Sequence, residues 1–258
     1  MDKALEWIGR PLARSGAVEH SFRLGQAASA TPGVLWLPSL PVHAPPVVLL
    51  GHGGSEHKRS DRIVGLGCWF ASRARIAAVA IDGPYHGDRV SSPLPAAVYQ
   101  ARIAAEGIEV VLDQMVAEWR ATVAALGALG IVDISKLGYL GTSMGTRFGL
   151  PLAAVMGVQL RCVVFGKFGL LQGSGMHQGL AAPDRIAHDA RLVTAPVLFH
   201  IQWHDELFPR EGQLALFDFL GARDKQLMGY AGTHGETKPA ATALWRDFIV
   251  SHLDDRRV

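Results

Sequence analysis

Apolar and polar positions along the 258 residues fall into blocks of differing period. Glu19 to Leu24 alternates polar with apolar, and Gly33 to Pro38 is a second short extended run; turn residues between them predict an N-terminal hairpin. Pro45-Pro46-Val47-Val48-Leu49-Leu50 is instead continuously apolar, the pattern of a strand covered on both faces in a parallel sheet, and it ends in Gly51-His52-Gly53-Gly54. Ile76 to Ile81, Leu137 to Leu140, Arg161 to Phe165, Pro196 to Gln202 and Lys225 to Tyr230 predict further strands. Helical spacing fills the gaps: Ile63, Leu66, Trp69 and Phe70 within Ser60 to Arg75, then Gln114 to Leu129, Thr146 onward, Glu211 to Leu220 and Glu236 to Leu253. Between Ala97 and Leu129 lies more helical sequence than one crossover needs, which predicts an extra element before Gln114.

A hairpin followed by alternating strands and helices predicts an α/β protein: a mostly parallel sheet of about eight strands with helices on both faces. Residues 1–258 read as one domain, with lid insertions expected at 83–113 and 166–194. Asp82 to Ala96 is rich in Gly, Pro and Ser, and the glycine-rich Gly166 to Gly179 with Ala181 to Arg191 is longer than a minimal connection. In such sheets reactive groups gather at the carboxyl ends of the strands, so the chemistry is sought there.

Gly141-Thr142-Ser143-Met144-Gly145 follows an apolar run and precedes a helix, a strand, sharp turn and helix that would push the serine hydroxyl outward. With 29 glycines in the chain, G-x-S-x-G alone is weak. A serine hydroxyl also needs a base to take its proton, and that base needs a group that fixes its tautomer. The strand Pro196 to Gln202 ends in Trp203-His204-Asp205-Glu206-Leu207-Phe208-Pro209, and the last strand ends in Ala231-Gly232-Thr233-His234-Gly235. Asp205 precedes the helix at Glu211 by too much for an N-cap, and Glu206 is the alternative acid. Among eleven histidines, His200 lies mid-strand, His204 is expected to face away from Asp205, and His52 and His86 are expected to bond backbone in their turns. His57 and Lys58 follow the Gly53-Gly54 loop and either meet a substrate carboxylate or are solvated; Met144, Trp203 and Phe208 flank the site, with a core role for Trp203 equally open.

Taken in order, Ser143, Asp205 and His234 resemble the α/β-hydrolase superfamily, within it the dienelactone-hydrolase-like and serine esterase branches. His52-Gly53-Gly54, Asp82-Gly83-Pro84-Tyr85-His86-Gly87 and Asp133-Ile134-Ser135-Lys136-Leu137-Gly138 extend that resemblance over nearly the whole chain. It implies Ser143 as nucleophile, His234 as general base and Asp205 as its orienter, with an oxyanion hole from the amides of Met144 and of Gly54 or Gly53. Two departures stand out: Thr146 replaces a glycine of many relatives, which implies looser helix packing, and Ser143 replaces the cysteine of dienelactone hydrolases proper. The implied activity is a serine hydrolase acting through an acyl-serine on a small or medium carboxylic ester or thioester. An acyltransferase or peptidase with the same triad, or a non-catalytic binding protein, are the competing readings.

Composition narrows the partners. A net charge of +2 without a basic stripe gives nucleic acid no footing. No apolar run approaches the roughly 18 residues of a membrane span, and Met1 to Arg14, with Asp2 and Glu6, has no secretion-signal block. Cys68 and Cys162 lack a C-x-x-C partner and read as buried free thiols, hence a cytoplasmic expectation. No H-E-x-x-H, G-x-G-x-x-G or P-loop occurs, so neither metal nor nucleotide cofactor is expected. Lys58, Trp203 and Phe208 are the substrate-binding candidates, the partner is a small-molecule ester, self-association as a homodimer is left open, and Asp254 to Arg257 reads as a solvated tail.

Overall fold

The structure, a computed structural model, describes residues 5–25, 30–40 and 42–253. The tail Asp254 to Arg257 lies outside the described residues. Nine strands form one sheet in the order β1-β2-β3-β5-β4-β6-β7-β8-β9. They are β1 (Leu5–Arg14), β2 (Ala17–Leu24), β3 (Thr31–Pro38), β4 (Pro46–Gly51), β5 (Ala77–Ile81), β6 (Asp133–Gly141), β7 (Leu160–Gly166), β8 (Val197–Gln202) and β9 (Lys225–Tyr230). The pairs from β1 to β5 are antiparallel and the remaining pairs, β5 through β9, are parallel. The expected hairpin is β2 with β3, paired from Ala17↔Pro38 to Leu24↔Thr31.

The strand beyond the eight expected is β1, which pairs with β2 at the sheet edge. Its residues are exposed at nearly every position, so no apolar period marks it. The parallel strands show the opposite. In β4, Val47 and Leu49 enter one core while Val48 and Leu50 enter the other, so both faces of the pleat are buried and the run reads as continuous.

Helices α1 (Asp61–Trp69) and α7 (Pro239–Leu253) cover one face, where Trp36, Phe70, Trp245 and Ile249 pack. A π-helical turn, Phe70–Ala74, extends α1 and ends at Arg75 in the left-handed conformation, φ 59°. The other face carries α2 (Ala96–Glu106), α3 (Ile108–Ala128), α4 (Met144–Met156), α5 (Pro183–Leu192) and α6 (Arg210–Phe219). The extra element before Gln114 is α2, separated from α3 by Gly107 at φ 90°. Helix α4 is buried along almost its whole length because sheet, α3 and α5 enclose it.

Chain direction positions the site. After β4 the chain moves to β5 on one side, then returns to β6 on the other. That reversal leaves a crevice outside the carboxyl ends of β4 and β6, where Gly51 and Gly141 stand side by side in register. Among the described residues no helix is long and apolar enough to cross a membrane. Both cysteines are free, Cys162 buried and Cys68 partly so; burial pushes both thiols up.

Candidate active site

Ser143 occupies the turn between β6 and α4 with φ 59° and ψ −121°. A side-chain-bearing residue held there stores strain of about 1–3 kcal/mol, and its N–H is fixed by the Gly166 carbonyl at 2.8 Å. Gly145 is needed by close approach: a Cβ there would lie 2.7 Å from the Gly51 carbonyl oxygen. Thr146 does not loosen the helix. Its buried hydroxyl donates to the Gly141 carbonyl (2.8 Å) and accepts the Gly166 N–H (2.9 Å), tying the first turn of α4 to β6 and β7.

Ser143 Oγ lies 2.8 Å from His234 Nε2. The other ring nitrogen, Nδ1, faces both oxygens of Asp205 at 3.0 and 2.9 Å. When Nδ1–H donates to that carboxylate, Nε2 is left as the acceptor, the tautomer that can take a proton from the hydroxyl. Asp205 is itself held: Oδ1 accepts the N–H groups of Leu207 (3.0 Å) and Phe208 (2.8 Å), and Oδ2 accepts Gln213 Nε2 (3.2 Å). Glu206 instead accepts the backbone N–H of His234 at 2.9 Å, so it braces the loop and leaves the ring to its neighbour. Phe208 is buried, its ring centroid 5.8 Å from that of His234.

The N–H groups of Met144, which opens α4, and of Gly54 are among those at this cleft that have no partner among the described residues. Gly53 cannot share the second position. Its N–H donates to Glu56 Oε2 at 2.7 Å, which corrects the expectation that either glycine could serve. The loop carrying Gly54 is pinned from below. His52 donates through Nδ1 to the Gly53 carbonyl (2.9 Å) and accepts the Gly83 N–H at Nε2 (2.8 Å), while His86 reaches the carbonyls of Pro84 (2.7 Å) and Gly54 (2.8 Å). Burial, and then the neighbouring His86, push His52 down to about 4, so it remains neutral.

Ser143, Met144, Gly54 and His234 open into a cleft of about 470 Å³. Tyr99 and Ile103 of α2 line it from one connection, Met176 and Leu180 from another. The two connections meet where His177 N–H donates to Gln100 Oε1 at 2.7 Å.

No family model and no curated protein sequence matches the chain. Solved structures do. A PEG-bound cold-adapted esterase from an Arctic intertidal metagenomic library is 29% identical, with a TM-score of 0.81 over 96% of this chain and 100% of that one. The chain has the α/β-hydrolase fold. More distant structures share it: acetyl xylan esterase 1 from Thermoanaerobacterium (16% identical, TM-score 0.71, covering 97% and 88%) and an S-formylglutathione hydrolase from Agrobacterium tumefaciens (15%, 0.69, covering 96% and 99%).

On this α/β-hydrolase scaffold, two of the three substrate-binding candidates lie away from the cleft. Lys58 is buried beneath the loop, its Nζ paired with Asp82 and, at 2.7 Å, with Asp88, while its N–H donates to Asp82 Oδ1 at 3.0 Å. Its contacts are those of a strut between the loops after β4 and β5. Trp203 is 40% exposed, with the Arg210 guanidinium 5.8 Å over its ring, and does not line the cleft. Only Phe208 does.

The α/β-hydrolase cleft also contains residues that sequence reasoning missed. Arg147 on α4 is buried, donates to the Leu180 carbonyl (2.8 Å) and Gln172 Oε1 (3.0 Å), and lies over Phe168 and Phe208; burial lowers its pKa to about 10. Lys167, immediately after β7, has φ 48° and donates from Nζ to Thr237 Oγ1 at 2.8 Å. Burial, then the charge of Arg62, lower it to about 8. The strand-end rule that singled out His234 applies equally to Lys167, and was the signal available.

Proposed function

We propose that this α/β-hydrolase-fold protein is a serine esterase of the dienelactone-hydrolase-like and serine esterase group, cleaving a small or medium carboxylic ester or thioester. The carrying observation is the unbroken hydrogen-bond chain Ser143 Oγ, His234 Nε2, His234 Nδ1, Asp205 carboxylate. His234 takes the hydroxyl proton as Ser143 Oγ attacks the ester carbonyl, and Asp205 stabilises the imidazolium that results. The carbonyl oxygen becomes an oxyanion received by the Met144 and Gly54 N–H groups, with the start of α4 adding its dipole. His234 then protonates the leaving group, water attacks the acyl-serine with the same histidine as base, and the acid departs. The likeness to a cold-adapted esterase at 29% identity supports the same reading of ester cleavage. The connections 83–113 and 166–194 act as the cover that shapes the pocket.

A fluorophosphonate probe tests the proposal, since it reacts with a serine hydroxyl activated by its histidine. Labelling should map to Ser143 and disappear in Ser143→Ala; a protein that stays unlabelled is not a serine hydrolase of this kind.

A further inference from the structure

The lining of the cleft divides by chemistry. Ile103, Phe148, Met176 and Leu207 supply apolar surface, whereas Glu56, Arg62, Arg147 and Lys167 supply charge, Arg147 being held by the Leu180 carbonyl and Gln172. Within the charged part the cations outnumber the carboxylates. Glu56 closes a two-pronged pair with Arg62 (2.9 and 2.5 Å) besides accepting the Gly53 N–H. Burial works to raise it, yet the Arg62 contacts hold Glu56 down at about 2, so that carboxylate is fully committed.

Lys167 has no carboxylate in such contact. Its residue is 5% exposed, its Nζ bonds the neutral Thr237 hydroxyl, and it forms no ion pair among the described residues. An ammonium carries three N–H donors, so donors remain unused. Arg62, close enough to depress Lys167, has its Nη1 buried without a hydrogen-bond partner. Asp205, Glu56 and Glu206 favour the Lys167 charge only from beyond ion-pair distance, and a charge withdrawn from water without a carboxylate in contact is costly. The backbone of Lys167 adds a second sign of a position maintained against local preference, its φ of 48° being fixed by the N–H donated to the His200 carbonyl at 2.8 Å.

We infer that the ester cleaved here carries a carboxylate of its own, received by the Lys167 ammonium with Arg62 beside it. This rests on the serine-esterase reading and refines its substrate class. Thr237, three residues beyond His234, keeps Lys167 beside the reacting centre, so the carboxylate orients the ester as well as binding it.

The test compares kcat/KM for matched esters. p-Nitrophenyl hydrogen glutarate against p-nitrophenyl valerate places the carboxylate on the acyl side; 4-acetoxybenzoate against 4-methylphenyl acetate places it on the alcohol side. In Lys167→Gln, the carboxylate ester of one pair should lose about 10- to 100-fold more than its neutral partner, chiefly through KM, and Lys167→Arg should restore the difference. The ratio within that pair should also fall as pH rises through about 8 in the parent protein and stay flat in Lys167→Gln. Arg62, Glu56, Asp205, Glu206 and His200 also face this region, and the within-pair ratio cancels effects they exert on both esters alike. Equal slowing of both members of each pair would make Lys167 a tether for the His234 loop and overturn the inference while leaving the esterase reading intact. Hydrolysis of none of the four esters, with Ser143 unlabelled by fluorophosphonate, would overturn both.

Discussion

His52 and His234 both follow strands of the parallel half, and both lie beside a glycine at the carboxyl ends where reactive groups gather. Their rings nevertheless meet different partners. His52 lies between a backbone carbonyl and a backbone N–H, groups that never change protonation, so its ring is a fixed neutral bridge. His234 lies between a hydroxyl and a carboxylate, so a proton arriving at Nε2 is matched by charge at Nδ1. His52 is buried and His234 only partly so, and the chemistry of their partners sets what each ring can do.

That contrast can be broken by substitution. Ser143→Ala should lower kcat by about 10⁴-fold or more with an unchanged melting temperature, measured on a p-nitrophenyl ester. Asp205→Asn should follow at roughly 10²- to 10⁴-fold, because the amide cannot stabilise the imidazolium and permits the wrong tautomer. His52→Ala should act mainly on stability. It leaves the Gly83 N–H and the Gly53 carbonyl unpaired, at about 1–3 kcal/mol, read as a lower melting temperature with a milder kinetic loss. If His52→Ala matched Ser143→Ala in kcat, the distinction drawn between the histidines would be wrong. Glu206→Gln should cost least of the four, since it removes only a charge from the bond to the His234 backbone. A reversed order for Asp205 and Glu206 would transfer the orienting role to Glu206.

Acid sharpens the same contrast. His52 and His200 are both held at about 4, chiefly by burial, with the neighbouring His86 acting in the same direction on the first and Lys167 on the second. Near pH 6.5 an unfolded chain begins to bind protons at these positions while the folded one does not. Stability should therefore fall as pH drops from about 6.5 to about 4, and His52→Ala should flatten that slope in a series of thermal melts.

Much of this was legible from the sequence, and the exceptions have physical causes. Continuous apolar runs revealed β4 to β8 because both pleat faces are buried, and the residues just past β6, β8 and β9 are the candidates Ser143, Asp205 and His234. Strand β1 left no trace because it is an edge strand exposed at nearly every position, tied to β2 by its backbone ladder and by a few side chains, Trp7 against His20 and Phe22 and Arg14 paired with Glu19. Lys58 misled because its partners, Asp82 and Asp88, lie on the next loop, 24 and 30 residues away along the chain, and a lone lysine reads as solvated until they are brought together. Gly53 and Gly54 were indistinguishable as letters; the Glu56 carboxylate that occupies one N–H and leaves the other separates them. Thr146 looked like a loss of glycine, yet its hydroxyl supplies bonds that glycine lacks.

The backbone of Ser143 carries one further consequence. Its left-handed conformation suits glycine better than serine, by about 1–3 kcal/mol, against roughly 1 kcal/mol of added chain entropy that glycine brings to the unfolded state. Ser143→Gly should therefore melt at or above the temperature of the parent while losing its chemistry. On the proposed mechanism, thermostability and turnover thus pull in opposite directions at a single residue, and a screen that selected heat resistance alone would tend to discard the serine hydroxyl.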